Sequence, residues 1–180
     1  MLRLVAAGDQ RDALAAAVQA GEHALRLDGR RAAEQAAWVV APDSPRRDGI
    51  PPAAYPAEPA HTEPDFPGRD FAAGQGWGLA IPAAGERSSG VVCLLATGAN
   101  ESADWVAAGQ ALQRVLLRAA TCGVAAALHS QPLELPQLCD FIRVQLASRA
   151  HPQLIIRLGV TRQAGAGAAS IRRPVGDVLL

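Results

Sequence analysis

The chain has 180 residues, a length that suits one domain spanning residues 1–180 with a hydrophobic core of its own. Its 17 basic and 17 acidic residues give a formal net charge of zero. This balance argues against nucleic-acid binding, since such proteins carry a basic excess. All 17 basic residues are arginines, so any site for an anion must use guanidinium groups.

The three cysteines, Cys93, Cys122 and Cys139, are widely spaced and lie in apolar segments. They form no C-x-x-C motif and no cysteine–histidine pair with the spacing of zinc ligands. The first residues lack a signal-peptide pattern, and no apolar run approaches the roughly 18 residues of a membrane span. We therefore expect a cytoplasmic protein with reduced thiols, no metal site and no contact with a membrane.

Hydrophobic periodicity predicts an α+β fold. Helices are predicted over residues 9–27 and 30–40, the second with Ala33, Ala37 and Trp38 facing inward. Residues 90–97 form a continuous apolar run that predicts a central strand covered on both faces. Further strands are predicted at 124–128 and 153–159, and a further helix at 136–148.

The segment from residue 99 to 132 is the most regular part of the chain. It predicts a long helix capped by Asn100 or Ser102 and ended by Gly123 in a left-handed turn. A polar turn follows at 129–132. The predicted buried stripe of the helix comprises Trp105, Gly109, Leu112, Leu116 and Ala119.

Residues 41–89 differ from the rest, because eight of the 13 prolines fall between Pro42 and Pro67. Proline disfavours both helix and strand, so we expect a long loop. Two interpretations remain open for it: a lid or partner-wrapping arm, and plain disorder. Residues 163–170 are also predicted to be flexible from their composition.

Few residues suggest side-chain catalysis. The chain has no G-x-S-x-G motif, and its four histidines have no evident partners in the sequence. For His129, the alternative to a functional role is a structural position at the end of a strand, in contact with solvent. The adjacent Arg172 and Arg173 suit one phosphate group, because two guanidiniums offer charge-assisted and bidentate contacts. A solvated basic tail is the alternative for this pair.

Several motifs occur in an order that is similar to a known family. They are Trp105, residues 108–117, residues 120–123, residues 130–132, Pro152-Gln153, residues 157–159 and residues 172–174, and more loosely Glu34, Trp38 and residues 48–51. In this order they resemble the FMN-dependent nitroreductase superfamily, in particular the C-terminal half of Acg-type NAD(P)H nitroreductases. The resemblance covers residues 1–175 and is specific mainly from Trp105 onward.

This resemblance implies a mixed central sheet flanked by helices, two units that meet face to face, and FMN bound between them. It places Leu128, His129, Ser130 and Gln131 beside the flavin ring, and Arg172 or Arg173 at the FMN phosphate. NAD(P)H is then the co-substrate, and a nitro compound or quinone is the electron acceptor. No catalytic side chain is implied, because the flavin performs the redox chemistry.

The chain also departs from the family pattern. It lacks the Arg-x-Ser-x-Arg segment that grips FMN in typical nitroreductases, and Acg-type chains are about twice as long. Three hypotheses follow: a homodimeric enzyme, a half that needs a complementary N-terminal half, and a catalytically degenerate protein that binds or sequesters flavin.

Overall fold

The computed structural model describes residues 1–55, 57, 62–63, 71–72, 75–79, 88–160 and 172–179. The described α-helices are α1 (Asp9–Leu27), α2 (Gly29–Trp38), α3 (Ser102–Thr121) and α4 (Pro136–Gln145). The described strands are β1 (Leu2–Leu4), β2 (Thr62–Glu63), β3 (Ser88–Ser89), β4 (Val91–Thr97), β5 (Ala125–His129) and β6 (His151–Gly159). The predicted α+β class is confirmed.

The chain divides into two compact units, and each is described by itself. The first comprises residues 1–23, 61–67 and 87–162, and the second comprises residues 24–60, 68–86 and 163–180. The first unit contains a four-stranded sheet in the order β1-β4-β6-β5, in which every pairing is antiparallel. The described strands therefore do not form the mixed central sheet that the resemblance implies. The short strands β2 and β3 pair in parallel in a separate sheet.

The sheet buries apolar side chains on both faces, because successive residues of a strand point in opposite directions. On one face Leu94 and Ile155 pack with Leu14 and Val18 of α1 and Ile142 of α4. The opposite face carries Cys93, Leu95 and Ile156, which pack against Ala108 of α3. The prediction that residues 90–97 form a central strand covered on both faces is thus confirmed.

The helix α3 ends as its sequence predicts. Gly123 has a φ of +65°, a conformation that glycine adopts without strain, and the Val124 N–H donates to the Ala119 carbonyl at 2.9 Å. At the other end Glu101 is the N-cap, and its N–H donates to Asp104 Oδ2 at 3.3 Å. The predicted caps Asn100 and Ser102 are each one residue from this position.

The predicted buried stripe of α3 is wrong at Trp105, which is 54% exposed, and at Gly109, which is also exposed. Ala108 and Ala119 are the buried residues of the helix, and Ala111 and Leu112 pack beside them. The Trp105 indole N–H donates to Asn100 Oδ1 at 2.8 Å, so the ring is held at the start of the helix. Val106 and Leu117 are also exposed, and they lie on the solvent side of α3.

The second unit contains α2 and a small apolar cluster of Val39, Tyr55 and Ala72. Asp28 caps α2 by accepting from the backbone N–H groups of Arg30 and Arg31. The prediction that Ala33, Ala37 and Trp38 face inward is wrong: all three are exposed. The helix ends at Trp38, and the extended residues Val39 and Val40 are buried instead.

Part of the predicted loop at 41–89 and all of residues 163–170 lie outside the described residues. Within the loop, Pro52–Ala54 forms a turn of 3₁₀-helix. No helix in the described part of the chain is long and apolar enough to cross a membrane.

Candidate functional site

The predicted flavin-contacting turn lies at the end of an edge strand. β5 pairs only with β6 within the described sheet and ends at His129, opposite Ile155. Ser130 then starts a 3₁₀-helix, Gln131–Glu134, and its carbonyl accepts from the Leu133 N–H at 2.8 Å. Pro132 lies in the first turn of this helix, where its fixed φ is favourable and its missing N–H costs nothing. The backbone of the turn is therefore well ordered by local contacts.

The turn is anchored to α1 at Gly21. A Cβ atom built on Gly21 would lie 2.7 Å from Pro132 N and 3.0 Å from the Gln131 carbonyl carbon. Only glycine permits this approach of helix and turn. Beside it, the fully buried Gln131 donates from Nε2 to Glu22 Oε1 at 3.2 Å.

The four predicted ring-contacting residues differ in accessibility. Leu128 is 43% exposed and Ser130 is partly exposed, whereas His129 and Gln131 are buried. The Ser130 hydroxyl donates to Glu134 Oε1 at 3.3 Å. Gln131 Oε1 is buried and has no hydrogen-bond partner among the described residues. Leu128 and Ser130 are thus accessible to solvent, whereas the side chains of His129 and Gln131 are buried.

The predicted phosphate-binding arginines lie in the second unit, near an acidic residue that the sequence analysis did not single out as a partner. Arg173 Nε lies 3.7 Å from Asp48 Oδ2. Arg46 contacts the same carboxylate, with its NH2 nitrogen 2.9 Å from Asp48 Oδ1. All three side chains are at least a third exposed, so each pair contributes little to stability. Two guanidiniums share one carboxylate, so these three side chains together carry a net positive charge.

The two parts of the predicted site belong to different units. Residues 128–131 lie in the first unit, and Arg172 and Arg173 lie in the second. The structure therefore describes each part separately, and their union into one flavin site stays a prediction.

Arg157 is a partly buried charged residue in the first unit that is not among the predicted site residues. It lies on β6 opposite Val92 and Ala127, on the same face as Ile155. Its NH1 nitrogen is buried without a hydrogen-bond partner among the described residues, and burial lowers the pKa of its guanidinium. A charged residue inside the apolar run 154–158 was the signal available in the sequence.

We expect Arg157→Met to raise the free energy of unfolding by about 1 kcal/mol. An unpaired charge in an apolar layer costs desolvation free energy, which an apolar side chain of similar length avoids. Urea unfolding of the full chain measures the change, with Arg149→Met at an exposed position as the control, expected within about 0.5 kcal/mol of the parent. A loss of stability in Arg157→Met alone would contradict the interpretation of Arg157 as uncompensated.

Among the described residues, no group of three or more His, Cys, Asp and Glu side chains is arranged to hold a metal ion. The chemistry available at the turn is therefore a half-exposed apolar side chain, a hydroxyl and main-chain groups. In the second unit it is a set of guanidinium groups.

The chain is similar to longer proteins, with low sequence identity. No family model matches the chain. The uncharacterized protein Rv3127 of Mycobacterium tuberculosis strain ATCC 25618 / H37Rv is 29% identical over 176 residues, which are 97% of this chain and 50% of that protein. The uncharacterized protein MT3212 of strain CDC 1551 / Oshkosh matches with the same identity and coverage. The chain thus spans about half the length of the curated relatives it matches.

Proposed function

We propose that the chain is the FMN-binding module of a nitroreductase-type oxidoreductase. In this proposal a hydride passes from NAD(P)H to flavin, and the electrons then pass to a nitro or quinone-like acceptor. The observation that carries the proposal is the turn after β5, which packs closely against Gly21 and leaves Leu128 and Ser130 accessible. The motif order found in the sequence supports it as well.

The donor set at the turn and at the arginines fits FMN chemically. Leu128 provides apolar surface for a flat ring, and Ser130 and the backbone provide hydrogen-bonding groups. The Arg172–Arg173 pair suits the phosphate, which guanidinium forks bind with charge-assisted hydrogen bonds. When bound, FMN would supply the hydride and electron chemistry, and the chain's residues would bind and orient it.

His129 and Gln131 have a supporting role in this proposal. Both are buried, and Gln131 is bonded to Glu22 of α1. They hold the backbone of residues 128–131 in place, so that the ring meets a preorganised surface. No side chain is assigned as an acid or base.

An equilibrium titration with FMN, followed by assay of NAD(P)H oxidation with a quinone, tests the function. Saturable binding and turnover are expected. Tight binding without turnover would favour the alternative, a degenerate protein that sequesters flavin. Failure to bind FMN, both alone and with the half that the longer relatives add, would refute both.

Exposed apolar side chains on the solvent side of α3 support the proposal that the chain associates with a partner. Val106 is 63% exposed and Leu117 is 58% exposed. They are 11 residues apart, about three helical turns, and so lie on one side of the helix. The same side carries Gln110 and Gln113 between them and Ala120 after Leu117. Large apolar side chains exposed on one side of a helix are a feature of surfaces that contact a partner. The proposed partner is a second copy of the chain or the complementary half.

We expect Leu117→Asp to weaken this association at least tenfold, because a carboxylate would be buried in an apolar contact. Analytical ultracentrifugation of the full chain, alone and with the isolated remaining half of Rv3127, measures it. Val144→Asp on α4 is the matched control, since Val144 is 44% exposed on a different helix. A parent chain that stays monomeric in both experiments would contradict the partner proposal.

A further inference from the structure

An apolar groove lies in the first unit, beside the second half of α3. None of residues 128–131 lines it. Its volume is about 1040 Å³, at the upper end of small-molecule sites. The strands contribute Leu2, Val91 and Leu158 to its lining, Val160 lines it just after β6, and α3 contributes Val115 and Ala119. Leu2, Val91 and Val160 are each more than 40% exposed, so the groove is bounded by apolar surface that faces solvent.

Two arginines provide the charge of this groove. Arg114 and Arg118 both line it and are four residues apart, so their side chains leave α3 on the same side. Within the described ranges, neither guanidinium has a hydrogen bond or ion pair, and no Asp or Glu lines the groove. The described part of the groove therefore combines an apolar wall with two cations that have no counter-charge there.

We propose that this groove binds a monoanionic amphiphile, namely a free medium-chain fatty carboxylate. The aliphatic chain would lie on the valine and leucine side chains, and the carboxylate would meet Arg114 and Arg118. A cationic ligand is disfavoured by the two arginines, and a wholly polar ligand would gain nothing from the apolar wall. The site does not depend on flavin binding.

The groove is distinct from the solvent-side stripe of α3. Arg114, Arg118 and Cys122 follow one another at intervals of four residues along one flank. Leu117 lies about 100° of helical rotation from Arg118, on the side already proposed to meet a partner. A ligand in the groove and a partner on the stripe therefore use different parts of the helix.

Cys122 provides a natural probe, because it lines the groove and is exposed. The other two thiols should react more slowly, because the pKa of each is raised. Burial raises the pKa of Cys93. Burial and the negative charge of Asp140 raise the pKa of Cys139, and Arg143 opposes this in part. Near neutral pH an alkylating reagent should therefore modify Cys122 first.

The test measures the rate of Cys122 alkylation by iodoacetamide in the full chain, read by peptide mass spectrometry, while dodecanoate is titrated below its micelle concentration. We expect saturable protection of at least fivefold, and little from dodecyltrimethylammonium, which has the same chain and the opposite charge. The double variant Arg114→Gln/Arg118→Gln should bind dodecanoate at least tenfold more weakly. Arg149→Gln, on an exposed loop, should bind like the parent.

Ala119→Trp provides a second variant, because its ring would fill the groove and abolish protection; circular dichroism checks that it folds. Three results would overturn the proposal. They are the absence of saturable protection, equal protection by the cationic amphiphile, and a Cys122 that is already unreactive without ligand. The last would show that another part of the protein or a second copy covers the groove.

Discussion

Gly21→Ala should lower the free energy of unfolding by about 2 kcal/mol, although alanine is the better helix former. The new Cβ would lie 2.7 Å from Pro132 N, and the atoms in contact are backbone atoms that cannot rotate away. Helix α1 or the turn must shift, and such overpacking costs about 1–3 kcal/mol after partial relaxation. The overpacking cost should lie at the upper end of this range, about 3 kcal/mol, because only backbone atoms line the contact. The gain in helix propensity, about 1 kcal/mol, offsets part of that cost and leaves a net destabilisation of about 2 kcal/mol.

Gly109→Ala is the matched control, since Gly109 also lies inside a helix. A Cβ there would meet nothing within 4 Å, so only the propensity gain remains, and stability should rise by about 0.5–1 kcal/mol. Thermal unfolding of the two variants, followed by circular dichroism, should therefore give shifts of opposite sign. Stabilisation by both substitutions would show that α1 and the turn are not in close contact.

The double variant Arg172→Gln/Arg173→Gln should bind FMN about 100-fold more weakly than the parent. Each charge-assisted hydrogen bond to a phosphate contributes about 1.5–3 kcal/mol, and each 1.4 kcal/mol corresponds to a factor of ten in affinity. The contact of Arg173 with Asp48 at 3.7 Å opposes only part of this effect, because the pair is exposed.

Riboflavin separates this effect from a structural one, since it carries the same ring without the phosphate. The double variant should bind riboflavin as well as the parent does, and flavin fluorescence quenching measures both affinities. An equal loss for the two ligands would indicate damage to the fold. No loss for either would place the phosphate elsewhere.

The elements with the strongest local signals were predicted well. The boundaries of α1, the strand at residues 90–97 and the Gly123 stop of α3 depend on apolar periodicity and on one glycine conformation, both of which a sequence displays. Beneath the predicted turn, the close approach of Gly21 to Pro132 joins residues more than 100 positions apart. No local pattern could predict that contact.

The errors concern which apolar residues the core uses. Trp105 and Trp38 are large and apolar, but both are more than half exposed. The Asn100 side chain accepts a hydrogen bond from the Trp105 indole, and Val39, directly after Trp38, belongs to the apolar cluster instead. In each case the outcome depends on a tertiary contact or on where a helix ends. Amphipathic spacing alone does not distinguish a core stripe from a stripe that meets a partner.

The central claim is that the turn at residues 128–131 presents a surface for flavin. The most direct measurement is the visible absorbance of the purified chain with FMN, after removal of free flavin, during anaerobic addition of NADH or NADPH. The proposal predicts that one FMN stays with each chain, that the nucleotide bleaches it, and that a quinone restores the colour. A chain that retains no FMN, whether alone or mixed with the remaining half of Rv3127, would contradict it.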